Sequence, residues 1–151
     1  MSVLYNGCMI DAPMKEAIAE ARTGSAEGGI PIGSVLVRDG IIIGRGRNRR
    51  VQEQNPMKHA EIDCLINAGR VPYRDTVLYS TLMPCYLCAG AVVQFGIPKV
   101  IVGESRTFGG AEAFLRDHRV EVINLDLEEC VEMMRLFIRE QPVLWNEDIG
   151  L

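Results

Sequence analysis

The stretch "DTVLYSTLMPCYLCAGAVVQFGIPKVIVGE", residues 75–104, reads as a strand, a helix and a second strand. "DTVLYSTL" is a short run rich in apolar and β-branched residues, the mark of a strand. "PCYLCAGAVVQFG" is a helix with Pro84 at its start and Gly96 at its end, the usual order of those two residues. "PKVIVGE" is a strand beginning at or just after Pro98. Two strands joined by a crossover helix run in the same direction. The chain is therefore of the α/β class. At the start of the crossover helix stand Cys85 and Cys88. They are too close in sequence to staple anything, but on one helical face they can hold one metal ion.

The rest of the chain extends this unit. "KHAEIDCLINAG" is a helix ended by Gly69. "IPIGSVLVRDGIIIGRGRN" is a hairpin turning at Asp39-Gly40, a strong two-residue turn signal. Residues 13–22, "PMKEAIAEAR", form an amphipathic helix with Met14, Ile18 and Ala21 on one face, broken by "GSAEGG". Downstream, "GGAEAFLRDH" is a short helix and "RVEVINL" a strand. "DLEECVEMMRLFIREQ" is a helix with Asp126 as its N-cap; Pro142 stops it and the last nine residues form a tail. This order predicts a single domain over residues 1–151. Its architecture is a three-layer α/β/α sandwich around a five-stranded mixed sheet.

Composition narrows the class of partner. The chain has 151 residues, a net charge of −4 and 48% hydrophobic residues, ordinary for a globular domain. The opening "MSVLYNGCMIDAP" has neither the basic stretch nor the apolar run of a secretory signal. No run reaches the roughly 18 apolar residues of a membrane helix. A cytoplasmic protein without membrane association is expected. The one dense basic run is Arg45, Arg47, Arg49 and Arg50, read as a solvated turn in preference to a phosphate site. With the acidic ending "WNEDIGL", it favours a small-molecule partner over nucleic acid. Five cysteines, an odd number, argue against a disulfide framework. Cys64 and Cys130 are expected to be buried thiols; Cys8, near the terminus, tells little.

The remaining ligand search turns up His59 at the start of the preceding helix. One imidazole and two thiolates suit zinc. Three protein ligands are the number of a catalytic site, which keeps a place for water. His118, on a charged helix, is expected at the surface. Cys64, five positions after His59, turns away from its side of the helix. Glu61 lies two residues after His59. In a first helical turn an acid often does no more than complement the dipole. Beside a zinc-activated water it becomes a proton shuttle.

His59-Ala60-Glu61 with Pro84-Cys85-Tyr86-Leu87-Cys88 has the form H-x-E…P-C-x-x-C, the signature of zinc-dependent base deaminases. The chain resembles the fungal-type cytosine deaminase branch of the cytidine deaminase-like family over nearly its whole length. "GGIPIGSVLV", "GRGRNRR", "LYSTLMPCYLCAGA", "FGIP", "VGE" and the closing "WNEDIG" carry the resemblance. It implies one zinc per chain held by His59, Cys85 and Cys88, with Glu61 as the catalytic shuttle. It implies that Asn48 reads the polar edge of the base and that Phe108 forms an aromatic wall. Trp145 and Asp148 belong to a C-terminal tail, residues 141–151, that closes the active site. Ile32, Leu82 and the backbone of Ala60 complete the lining. The activity implied is hydrolytic deamination of free cytosine to uracil and ammonia, in pyrimidine salvage, by a cytoplasmic homodimer. Ala60 and Met83 stand where that branch usually has Gly and Ser. Guanine or another aminated heterocycle is the alternative substrate. A tRNA adenosine deaminase and a non-catalytic zinc-stabilised module are the remaining alternatives.

Overall fold

A computed structural model describes residues 3–5 and 8–151, with side chains from Ile10 onward. Its main sheet has five strands in the order β4-β3-β5-β6-β7. β3 (Gly33–Arg38) pairs antiparallel with β4 (Ile41–Arg47) on one side and with β5 (Thr76–Ser80) on the other. β6 (Lys99–Val102) and β7 (Glu121–Asn124) then add parallel to β5. The hairpin turns as expected: Asp39 and Gly40 have φ of 51° and 76°, the left-handed pair that a two-residue turn of this hand requires. A further antiparallel pair, β1 (Val3–Tyr5) and β2 (Cys8–Ile10), lies ahead of the first helix and was not expected. The Cys8 side chain is outside the described residues.

The central strands alternate between two apolar faces. Leu36, Leu78, Val100 and Val102 pack with residues of α2 (Ala60–Ala68), α3 (Tyr86–Phe95) and α4 (Glu112–Asp117). Val35, Val37, Tyr79 and Ile101 pack with α1 (Ala12–Ala26) and α5 (Glu128–Glu140). Strands buried on both faces read as continuous apolar runs, which is why "VLY" and "VIV" show little alternation. α2 sits unusually close to the sheet. A Cβ on Gly46 would lie 2.2 Å from the Cys64 backbone nitrogen, so only glycine lets β4 and α2 meet at this spacing.

Three expectations are corrected. α1 runs on through "GSA" to Ala26, because Gly24 is buried against Arg47 and needs no turn there. α5 begins one residue later than expected, with Leu127 and not Asp126 as N-cap. Leu127 is buried and its N–H bonds Gly103 O at 2.7 Å, whereas Asp126 turns out to pair with Arg106 at 2.8 Å. The C-terminus is not a tail. Pro142 stops α5 and at the same time opens a new helix, α6 (Pro142–Asp148). Seven residues make a marginal helix by themselves. This one is held by Trp145, buried in a cluster with Ile30, Ile32, Ala60, Leu82 and Phe137 at the carboxyl edge of the sheet.

Candidate active site

His59 and Cys85 are the N-cap residues of α2 and α3, in extended conformation with ψ of 159° and 178°. Cys88 lies one turn into α3. Capping positions aim both side chains across the same gap at the carboxyl edge of the sheet. His59 Nδ1 is 3.4 Å from Cys85 Sγ, and the ligand atoms of His59, Cys85 and Cys88 all lie within 4.8 Å of one another. Donors around a tetrahedral zinc, with bonds of about 2.0–2.3 Å, sit roughly 3.5–3.8 Å apart. The trio fits that ion in chemistry, and the His59–Cys85 distance matches its spacing. The hydrogen bond from Cys88, with a further contribution from His59, lowers the Cys85 thiol to about 4, so a thiolate is present at neutral pH. The other ring nitrogen of His59, Nε2, lies 3.5 Å from Asp148 Oδ1, an outer carboxylate of the kind that orients a ligating imidazole.

Neither of the other candidate ligands joins this group. Cys64 is fully buried under the sheet and burial pushes its thiol up to about 12. Cys130 is likewise buried and also raised to about 12 by burial. His118 is at the surface, with Nδ1 2.8 Å from Phe114 O.

Glu61 follows in the first turn of α2 and is 4% exposed. Burial raises its carboxyl above the ordinary range, with the nearby Cys85 charge adding to the effect. Its Oε1 accepts a hydrogen bond from Ser80 Oγ at 2.7 Å. Ser80 was missed. Its signal is a polar residue closing a largely buried central strand.

One pocket collects His59, Glu61 and Cys85 with Ile32, Asn48, Leu82, Phe108, Trp145 and Asp148. Ala60 is buried in the apolar cluster behind it. Met83 and Ile149 line it too. Ile149 was missed, lying one residue beyond Asp148 where its side chain shows only once α6 is docked. Phe108 and Trp145 meet edge to face, ring centres 5.5 Å apart. Asn48 is fully buried just past the end of β4, its N–H bonded to Ile32 O at 3.0 Å.

The basic run is neither a solvated turn nor a phosphate site. Arg45 pairs with Glu16, Arg47 with Glu20 and Glu27, Arg49 with Asp63, and Arg50 with Glu147 and Asp148. Every arginine of the run is matched by a carboxylate of this chain. Asp63, 2% exposed, also takes the Arg47 N–H and Lys58, and so ties α2 to the end of β4.

The model of the cytidine and deoxycytidylate deaminase zinc-binding region matches residues 9–104. The chain belongs to this family. The matched region contains His59, Glu61, Cys85 and Cys88 and stops short of Phe108, Trp145 and Asp148. This deaminase is 43% identical over 141 residues to a cytosine deaminase of Candida albicans, covering 91% of this chain and 94% of the relative. A solved tRNA:A34 deaminase superposes with a TM-score of 0.69 at 29% identity, over 80% of this chain and 97% of that one. A guanine deaminase of Bacillus subtilis superposes with a TM-score of 0.61 at 32% identity, over 69% and 70%. The deaminase is a zinc-dependent hydrolase of the same α/β fold.

The ligand trio predicts that His59→Ala or Cys85→Ala loses the zinc and lowers the melting temperature, because metal bound only to the native state adds to its stability. Elemental analysis finding wild-type zinc in either variant would overturn the ligand assignment.

Proposed function

We propose that the protein hydrolytically deaminates a free nucleobase, cytosine to uracil with release of ammonia. The observation that carries this reading is the closure of the pocket by α6. Trp145, Asp148 and Ile149 line the same pocket as His59, Glu61 and Cys85. Trp145 and the Asp148 side chain are each only 5% exposed. The open space beneath this cover is about 20 Å³, so a planar base enters with a small outward shift of α6. A sugar or a polynucleotide strand would have to displace it.

His59, Cys85 and Cys88 hold zinc in this reading. Bound there, the metal would acidify a water to a pKa of about 7 and so make a nucleophile available at neutral pH. Glu61 takes the proton of the attacking water and delivers it to ring N3. The C4–O bond then forms, and Glu61 takes the proton of the new C4 hydroxyl and passes it to the amino group as the C4–N bond breaks, leaving the C4 carbonyl. The balance is cytosine plus water to uracil plus ammonia. Ser80 holds Glu61 in position through its hydroxyl. Asn48 and Asp148 hold the polar edge of the ring while Phe108 and Trp145 cover its faces and exclude water, so the base is oriented before the chemistry begins.

Guanine is the second reading, favoured by Met83, which lines the pocket where the fungal branch usually has Ser. Editing of tRNA is disfavoured by the closed pocket and by the self-neutralised arginines. We further propose a homodimer. Its support is the exposed apolar side chains at both ends of α3, Tyr86 at 75% and Phe95 at 50%, and of Met57 at 56% in the loop before α2. A cytoplasmic role in pyrimidine salvage accords with the free thiols of Cys64, Cys85, Cys88 and Cys130. Among the described residues no helix is long and apolar enough to cross a membrane. Residues 1–151 act as one domain in this reading, with 141–151 as its cover. Ammonia release from a panel of cytosine, guanine and adenosine-containing tRNA tests the proposal. Release from cytosine above the others is expected, and release from guanine or tRNA alone would overturn it.

A further inference from the structure

Two buried polar atoms in the pocket have no hydrogen-bond partner among the described residues, Asn48 Nδ2 and Asp148 Oδ1, although His59 Nε2 stands 3.5 Å from the latter. Both belong to side chains organised by one residue, Arg50. The Arg50 main-chain N–H donates to Asn48 Oδ1 at 3.0 Å. This bond occupies the amide oxygen and leaves Nδ2 as the free group. The Arg50 side chain, 13% exposed, reaches the other way. Its Nε faces Asp148 Oδ1 at 3.4 Å without hydrogen-bond alignment, and its Nη2 donates to Glu147 Oε1 at 3.2 Å. Asp148 Oδ1 is thus held by charge yet keeps a lone pair for a ligand. On its outer side Arg50 borders a separate cavity shared with Ile30, Gln54, Pro56, Leu144 and Glu147. It therefore forms part of the wall between that cavity and the pocket.

We infer that Arg50 is the positioning residue of the base-binding pocket, presetting Asn48 through its main chain and latching Asp148 and α6 through its guanidinium. This inference rests on the reading of the site as one for a free base. The free pair is an N–H donor on Asn48 and a carboxylate acceptor on Asp148, complementary to a ring carbonyl beside a ring N–H. Neither group can act unless both are fixed at once. Arg50 joins the loop after β4 to two consecutive residues of α6. A planar fork can hold two carboxylates together, which a single ammonium does less well. α6 is too short to be stable alone. Without the latch, it is held by Trp145 and its apolar neighbours and by the approach of His59 Nε2 to Asp148.

The test uses the full zinc-loaded chain with Arg50→Ala and Arg50→Lys. The main-chain bond to Asn48 survives both changes, so only the half of the device that acts on Asp148 and α6 is removed. KM for cytosine is expected to rise about 10- to 100-fold in Arg50→Ala, the range for losing a charged contact. kcat should change much less, because the lost contact serves binding in ground and transition states alike. Arg50→Lys should recover part of the loss. Trp145, the only tryptophan, reports the latch without turnover. Its emission should move to the red in Arg50→Ala and part of the way back in Arg50→Lys, with zinc content unchanged. A KM within about twofold of wild type, or a fall in kcat at unchanged KM, overturns the inference. If Arg50→Ala does not fold, Arg50→Lys decides the matter. If the wild-type protein does not deaminate cytosine, the proposed substrate fails, and Trp145 emission still decides the latch: an unshifted spectrum overturns it.

Discussion

Replacing Glu61 by glutamine is expected to abolish nearly all turnover while leaving the zinc and the fold in place. The side chain is 4% exposed and accepts a 2.7 Å hydrogen bond from Ser80. Glutamine has the same shape and can keep that bond through its amide oxygen. What it cannot do is take up and release a proton. Positioned acid–base groups contribute on the order of 100- to 10,000-fold. In the proposed mechanism Glu61 acts more than once per cycle, so the upper end is expected here. Circular dichroism, zinc content and ammonia release measured on one preparation check this. Loss of zinc would show that Glu61 is a ligand. Turnover near that of wild type would show that another group moves the proton.

Cytidine is expected to be turned over roughly 10,000-fold less efficiently than cytosine, the discrimination reached by a site built to hydrogen-bond a group that the rejected analogue lacks. The group is the ring N1–H. Asp148 Oδ1 is buried, lines the pocket and has no hydrogen-bond partner among the described residues, and in the proposed reading it accepts from that N–H. In cytidine N1 carries the sugar. The donor is gone, the desolvated carboxylate is left one hydrogen bond short, and the ribose meets Trp145 and Ile149. Asp148→Ala should then lower kcat/KM for cytosine and narrow the gap between base and nucleoside, with zinc content unchanged. Deleting residues 145–151 should erode activity on the base in the same way. The outcome that sinks this account is equal turnover of cytidine and cytosine by the intact protein, or unchanged kinetics after the deletion. Activity on guanine in place of cytosine would leave the argument from Asp148 standing, since guanine too has a ring N–H where its nucleoside carries sugar.

The legible parts of the site share one property, which is locality. His59 and Glu61 lie in one turn, Cys85 and Cys88 in another, and each pair stands where a strand passes into a helix. Ligand spacing along a helix is a matter of a few residues, so the metal group needs no long-range information. The same holds for the Asp39-Gly40 turn and for the alternation of strands and helices that makes the second half of the sheet parallel. By contrast Ser80 meets Glu61 from nineteen positions away, and nothing in "VLYST" marks its partner. The arginines of "GRGRNRR" read as a solvated surface because their carboxylates come from α1, α2 and α6, remote in sequence.

By itself the sequence determined the class of fold and singled out His59, Cys85 and Cys88 as a group that could hold a metal, with Glu61 beside them, because each rests on periodicity or on spacing within a helical turn. Only the tertiary structure decided the C-terminus. Residues 142–148 form a helix because Trp145 finds a cavity among Ile30, Ile32, Leu82 and Phe137, and because Arg50 reaches Glu147 and Asp148. A seven-residue segment has too few internal hydrogen bonds to be helical unaided. Its conformation, and with it the cover over the pocket, is set by what it packs against.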